Sequence, residues 1–469
     1  MKERAIRTDS LGGDSMKLRN TMDLTTGSVT KKLIAFMLPL LASNLLQYFY
    51  NAADKAVVGQ FAGRIALAAV GSTNSATTMM LNLLVGLSAG ASIVNANLLG
   101  ARKREELRRS MHTAIVVGGI CGVFIGLFGI VACKPLLRLM SCPDSVIDSA
   151  ALYMRIYFCG VPASMLYNFG AGILRTHGDT KRPMFILAIS GLVNVLLNLV
   201  FVIVFKMDVD GVAYATIISQ YISSAWVLYI LFDPKGDYCL RINELKLHKH
   251  EAASIVKVGL PCGVNGLVFS VSNVIVQSTI NGFGDVVIAG SVASDSVTGF
   301  FYQIIAAFYT SCVTFAGQCY GAKKMKRINK LLLSASGIAS SIMLILAVTA
   351  SLTPQTLLGI FNSEPDVISS GGQKLMIMCW SYVLYSVSEV LLGCLRGMRK
   401  GAIPTTINIA GICMTRVIWI LFVFPMNSSN ILFLYLCYPL SYVISVSAMA
   451  VYYIYCNRQE MKKMSSASA

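Results

Sequence analysis

The sequence predicts an all-α polytopic membrane protein with twelve transmembrane helices in two six-helix bundles related by a parallel internal repeat. Three observations predict it. The 469 residues are 55% hydrophobic and 13% charged, with mean hydropathy +0.66, the balance of a chain solvated by lipid. Apolar stretches of roughly 20 residues recur along the chain. The Lys and Arg behind the net charge of +17 are confined to short segments between those stretches, as in loops on one face of a membrane. That distribution excludes a nucleic-acid surface.

The predicted helices lie near 33–58, 66–99, 109–132, 148–173, 181–205 and 211–232, then near 252–280, 286–319, 329–352, 371–395, 402–424 and 430–456. The second and eighth are long enough for a tilt or a break. Basic residues cluster in the tail (Lys2, Arg4, Lys31, Lys32), after the second helix (Arg102 to Arg109), after the fourth (Arg175, Lys181, Arg182) and in 235–257. They return at Lys323 to Lys330, Arg396 to Lys400 and Arg458 to Lys463. Opposite loops hold only Arg64, Lys134, Arg138, Lys206 and, at a helix start, Lys374. Both termini are therefore expected in the cytoplasm of a bacterium, with the chain in its plasma membrane. Residues 1–30 form a cytoplasmic tail without a signal-peptide pattern, 31–232 and 251–456 the two lobes, 233–250 the linker, and 457–469 a second tail.

One constant shift along the chain superposes the halves, placing Asn44 on Asn265, Gly63 on Gly284, Gly100 on Gly321, Arg175 on Arg396 and Pro183 on Pro404. Six spans per half make the repeat parallel, an arrangement of transporters that rock about a central cavity. The 13 cysteines form no C-x-x-C pair and read as small core residues; Cys133 and Cys142 are the pair placed to meet in an outer loop. No Walker pattern points to ATP, no nucleophile and base are paired, and an enzyme is not expected. His248 and His250 make a weak metal signal.

The first helix carries the strongest functional signal. Asn44, Gln47, Asn51 and Asp54 recur at i, i+3, i+7 and i+10, which predicts a polar stripe on one face. Asp54 lies about 33 Å along the helix from Lys32 at 1.5 Å per residue, towards the outer leaflet. A carboxylate at that depth costs several kcal/mol unless it faces a cavity or a partner; the plainer reading is an interfacial Asp beside a snorkelling Lys55. Its repeat mate is Ile275, so packing alone does not require the charge. Asn194 and Asn198 share one face of the fifth helix, with Asn168 on the fourth and Thr216 on the sixth. Their oxygens suit Na⁺ or a protonation-dependent hydrogen bond to Asp54, although each alone reads as helix-packing glue. Asp295 and Glu389 are intramembrane acids suited to a cationic substrate or a proton. The plainer readings pair Asp295 with Arg416 and set Glu389 near Arg396. Aromatic residues such as Tyr157, Phe300, Tyr302 and Tyr309 can line a greasy cavity, and none is singled out.

In this order and spacing, TGSVTKKLIAFMLPLLASNLLQYFYNAADKAVVGQFAG, NANLLGARKREELRR, ILRTHGDTKRPM, FAGQCYGAKKMKR and CLRGMRKGAIPT resemble the multidrug and toxic compound extrusion (MATE) family over nearly the whole chain. The resemblance implies two lobes opening alternately and export of organic cations in exchange for Na⁺ or H⁺, with no other cofactor. It implies an ion-binding role for Asp54 and Tyr50, a conformational role for Pro39, and supporting roles for Asn194, Asn198 and Thr216. Two departures stand out. Some relatives carry an aspartate near Asn198, and one branch places a glutamate near Phe269-Ser270, where this chain has none. The expected function is a monomeric antiporter for lipophilic cations with Asp54 as its coupling carboxylate. The alternative is a flippase for a lipid-linked sugar, which needs cavity arginines or lysines for a phosphate headgroup.

Overall fold

The computed structural model describes residues 22–139, 142–233, 238 and 240–466. Among them lie twelve long helices, α1 Val29–Val57, α2 Gly63–Gly100, α3 Arg104–Leu139, α4 Asp144–Thr176, α5 Lys181–Val204 and α6 Val209–Phe232 in the first half. The second half supplies α7 Lys249–Asn281, α8 Asp285–Gly321, α9 Met325–Leu352, α10 Pro365–Gly397, α11 Ala402–Asn427 and α12 Cys437–Ser466. All but α4 lie in stretches apolar and long enough to cross a membrane; α4, with 33 residues, spans about 50 Å at 1.5 Å per residue. The two long stretches, α2 and α8, are unbroken helices of 38 and 37 residues. Lys374 is not in a loop: it lies within α10 and is 1% exposed.

The repeat is visible in how helices stop. At the end rich in basic residues, α2, α4, α8 and α10 all finish on a left-handed residue, Arg102 (φ 57°), Gly178 (φ 87°), Lys323 (φ 56°) and Arg399 (φ 58°). The amide one residue later bonds five residues back in each, Lys103 to Leu98, Asp179 to Leu174, Lys324 to Cys319 and Lys400 to Leu395, at 2.8–3.1 Å. This is the Schellman stop, which satisfies carbonyls that a helix end would otherwise orphan. Arg102 and Lys323, like Gly178 and Arg399, are repeat mates.

The helices that open each half cross to the other half. The α1 residues Leu33, Phe36, Met37 and Leu40 pack in a core with α8, α9 and α10, whereas the α7 residues Ile255, Val258 and Cys262 pack in the first half's core. Two seams result. Along the α2–α7 seam a Cβ at Gly86 would stand 2.1 Å from the Gly263 nitrogen, and one at Gly90 2.4 Å from Gly259 Cα, so only glycine permits this approach. Along the α1–α8 seam, Asn44 Nδ2 donates to the Gln303 carbonyl at 3.2 Å and the Tyr48 hydroxyl to the Ser296 carbonyl at 2.8 Å. The twelve described cysteines are free, Cys133 and Cys142 included.

Candidate functional site

Asp54 sits where α1, α4, α5 and α6 meet. Tyr50, one turn earlier, lies flat on α5: a Cβ at Gly191 would fall 1.9 Å from its ring, and its hydroxyl donates to the Ala188 carbonyl at 2.9 Å. That contact sets the register of α1 on α5. It brings Asp54 opposite Asn198, whose Nδ2 donates to Asp54 Oδ1 at 2.5 Å. Asn194, one turn before Asn198, is also buried.

Asn198 is completely buried, and its Oδ1 finds no partner. An orphaned amide oxygen inside a protein costs roughly 1–3 kcal/mol, so the site has an unmet demand for a donor or a cation next to a carboxylate. From α4, Tyr153 and Tyr157 stand within electrostatic reach of Asp54, and Gln220 of α6 lies beside Tyr157. Sequence reasoning misses Gln220. The available signal is its place one turn after Thr216, facing Gly160, where a Cβ would meet its amide oxygen at 2.3 Å. Beyond both site residues the backbone widens into π-helical turns, Val58–Ala62 after α1 and Val200–Val204 within α5, which touch each other; such turns cluster at functional sites.

Other expected members stand apart. Asn168 donates to Ser164 on its own helix at 2.8 Å, and at 1.5 Å per residue it lies about 16 Å along α4 from Tyr157. Thr216 likewise returns to Val212 at 2.9 Å. The expected polar stripe does not act as one face: Asn44 reaches α8, Asp54 reaches α5, and Gln47 and Asn51 are exposed. Ten residues at 100° each leave Asn44 and Asp54 about 80° apart, enough to address different neighbours. Pro39 is buried mid-helix without ending α1, and its carbonyl accepts from Ser43 Oγ at 2.8 Å. The side chain of Lys55 lies outside the described residues.

In the second half, the Asp295–Arg416 pair does not form. Asp295 instead pairs with Lys374 at 2.6 Å, and the ammonium also donates to Ser291 at 2.7 Å. Arg416 is held by Asn273 (3.1 Å) and Ser441 (3.3 Å) among the rings of Phe269, Tyr438 and Tyr442. Arg396 turns to the Tyr309 hydroxyl at 2.6 Å and Thr405 at 3.1 Å. Glu389 has Tyr385, Tyr302 and Tyr442 close by.

The MatE family profile matches residues 39–200 and 261–421, together more than half of the chain. The chain is similar to the probable multidrug resistance protein YoeA of Bacillus subtilis, 26% identical over 435 residues, 91% of this chain and 94% of that protein. It is also similar to the probable multidrug resistance protein YpnP of the same organism, 27% identical over 375 residues, 80% of this chain and 84% of that protein. Among solved structures, an outward-facing multidrug resistance MATE family transporter shares the fold, with TM-score 0.87 and 22% identity over 94% of this chain and 98% of that one.

Proposed function

Because the chain belongs to the MatE family of membrane transporters, we propose that it is a multidrug exporter of the bacterial plasma membrane that expels lipophilic organic cations in exchange for Na⁺ or H⁺. The names of its relatives support export of drugs rather than lipid flipping. In this reading the basic end, with both termini, faces the cytoplasm, and a single chain is the working unit.

One observation carries the coupling: a buried amide whose nitrogen holds the Asp54 carboxylate and whose oxygen is unsatisfied. A Na⁺ ion bound by Asp54 and the Asn198 and Asn194 oxygens would meet that demand. A proton would meet it too, because a neutral Asp54 donates through its hydroxyl and the Asn198 amide, turned over, accepts through its oxygen. Either cation changes the hydrogen bonds between α1 and α5, and so favours one arrangement of the helices over another. Substrate that prefers the other arrangement is then released when the ion binds, and the ion when substrate binds, as linkage requires. Asp295 and Glu389 are the substrate-facing candidates of the second half, Glu389 because tyrosines surround it as aromatic partners for a flat cation.

Purified protein in sealed vesicles, with Na⁺ and pH gradients imposed separately, tests the reading. Uptake of a fluorescent organic cation driven by one of the gradients is expected. No uptake under either gradient would overturn it.

A further inference from the structure

At the basic end the halves are joined by two hydrogen bonds that obey the repeat. Asn97 Nδ2 of α2 donates to the Gly397 carbonyl of α10 at 2.9 Å, and Gln318 Nε2 of α8 donates to the Thr176 carbonyl of α4 at 2.6 Å. Asn97 and Gln318 are repeat mates, as are Thr176 and Gly397. Each amide therefore caps an end carbonyl of the fourth helix of the opposite half.

Asn97 Nδ2 otherwise donates to the Ile93 carbonyl of its own helix at 2.8 Å, whereas Gln318 ties a further segment of the chain to the seam. The Leu24 amide donates to Gln318 Oε1 at 3.0 Å, and the Leu24 side chain is 0% exposed in the core beside Phe315 and Cys319. Arg327 grips the carbonyls of Leu24 (2.8 Å), Gly27 (2.7 Å) and Thr26 (2.5 Å), and Lys324 that of Thr25 (2.9 Å). Met22 then crosses onto the first half so closely that a Cβ at Gly178 would come 2.4 Å from its carbonyl oxygen. The segment is pre-shaped by Asp23, whose carboxylate accepts from the Thr25 amide (2.8 Å), Thr25 Oγ1 (2.7 Å) and Thr26 Oγ1 (3.2 Å), a side-chain turn of the kind aspartate makes. Burial pushes its pKa up, but these bonds and Lys32 outweigh it and hold the carboxyl below the usual aspartate range.

The repeat-related notch is open. Asn97, Lys103, Glu106 and Arg399 occupy the places of Gln318, Lys324, Arg327 and Gly178, and they line a cavity of about 590 Å³. Glu106 cannot bind carbonyls as Arg327 does. The segment before α7, the counterpart of the strap, lies instead on α3, where Glu244 pairs with Arg108 and the Arg241 amide donates to His112.

We propose that residues 22–27 are a strap that locks the halves together at the basic end, with Gln318 as the positioning residue that ties the strap to the seam. The seam on the Gln318 side opens only after the strap lifts, so the strap sets how readily the transporter opens there. The consequence for transport rests on the exporter reading; the contact and its test do not. Cys319 supplies the native reporter, lying beneath the strap with its thiol 3.8 Å from the Leu24 carbonyl.

Full-length protein in nanodiscs is treated with a membrane-impermeant maleimide, and labelling of each cysteine is followed by peptide mass spectrometry, with half-buried Cys142, in the loop before α4, as internal reference and buried Cys133 as fold control. Leu24→Ser and, independently, Arg327→Gln are expected to raise Cys319 labelling about tenfold or more while Cys142 and Cys133 keep their rates, the mark of local opening. Arg399→Gln, in the open notch, leaves Cys319 unchanged. Cys319 rates within about twofold of wild type in both strap variants would overturn the proposal. So would an equal rise at Cys133, which would make the strap a general stabiliser. Loss of gradient-driven uptake in wild type, with the labelling pattern intact, would count against the exporter reading alone.

Discussion

The two halves share one backbone plan and divide their charges differently. Asp54 and Asn198 of the first half correspond to Ile275 and Trp419 of the second, and Gln220 to Ser441. Among the described residues, the first half holds its membrane carboxylate with an amide rather than a base. The second half gives Asp295 a lysine, surrounds Arg416 with three rings and two polar side chains, and hands Arg396 to a tyrosine. A carboxylate held only by an amide can exchange a small cation, whereas an ion pair has already satisfied itself. In the exporter proposed above, the duplicated frame would supply motion and the unduplicated charge coupling.

The sharpest way to break that contrast is Asp54→Asn. It removes the charge and leaves a side chain that still hydrogen-bonds Asn198, so the fold should persist. Gradient-driven uptake is expected to fall by about a hundredfold, the loss of roughly 2.7 kcal/mol of coupling within the usual range. Ile275→Asp in that background is not expected to restore it, because Trp419 offers no oxygen where Asn198 stands. Restored uptake would show that position within the repeat, rather than the α1–α5 pair, is what matters.

Next in size is Gly86→Ala at the tight seam. Its Cβ would stand 2.1 and 2.3 Å from backbone atoms of Gly263, which cannot rotate away as a side chain can. Overpacking of this kind costs about 3 kcal/mol, borne here by the closed seam. Buried Cys262, whose backbone carbon lies 2.7 Å from the same added atom, should become reactive to maleimide. The repeat mate Ala307 shows that the other seam tolerates a Cβ; Ala307→Gly should cost about 1 kcal/mol, the helix penalty of glycine, and leave Cys262 protected.

Asp295→Asn probes the self-satisfied charges. Lys374 is 1% exposed and would lose its counter-charge, which costs about 2–3 kcal/mol, below the range for fully buried pairs because Asp295 is 47% exposed. A lower melting temperature is the readout, and the double variant Asp295→Asn with Lys374→Met should recover most of it.

Much of this is legible in the sequence. Apolar length locates the twelve helices, one constant shift exposes the repeat, and Asp54 with Asn198 follows from a charge that lipid penalises. What stays hidden depends on contacts across the chain. Asn168 groups with Asp54 because amides look alike in a sequence, yet it bonds its own helix. Lys374 reads as an outer-loop base because its partner, Asp295, lies two helices earlier in the chain. The strap is invisible for a related reason: Leu24 is one leucine in a polar tail until Gln318 and Arg327 are brought beneath it.

The smallest expected effect tests the helix stops that the halves share. Arg102, Lys323 and Arg399 hold the left-handed conformation that Gly178, the mate of Arg399, adopts without strain, at about 1 kcal/mol each for a residue bearing a Cβ. Arg102→Gly removes that strain but frees the unfolded chain, so the net gain is about 0.5 kcal/mol. The cationic side chain also favours the negative end of α2 by a few tenths of a kcal/mol, which the substitution forfeits. The melting temperature should therefore rise by no more than a degree or two in low salt and slightly further in high salt, where the lost charge matters less. A fall at both ionic strengths would show that the Arg102 side chain does more at the basic end than stop a helix.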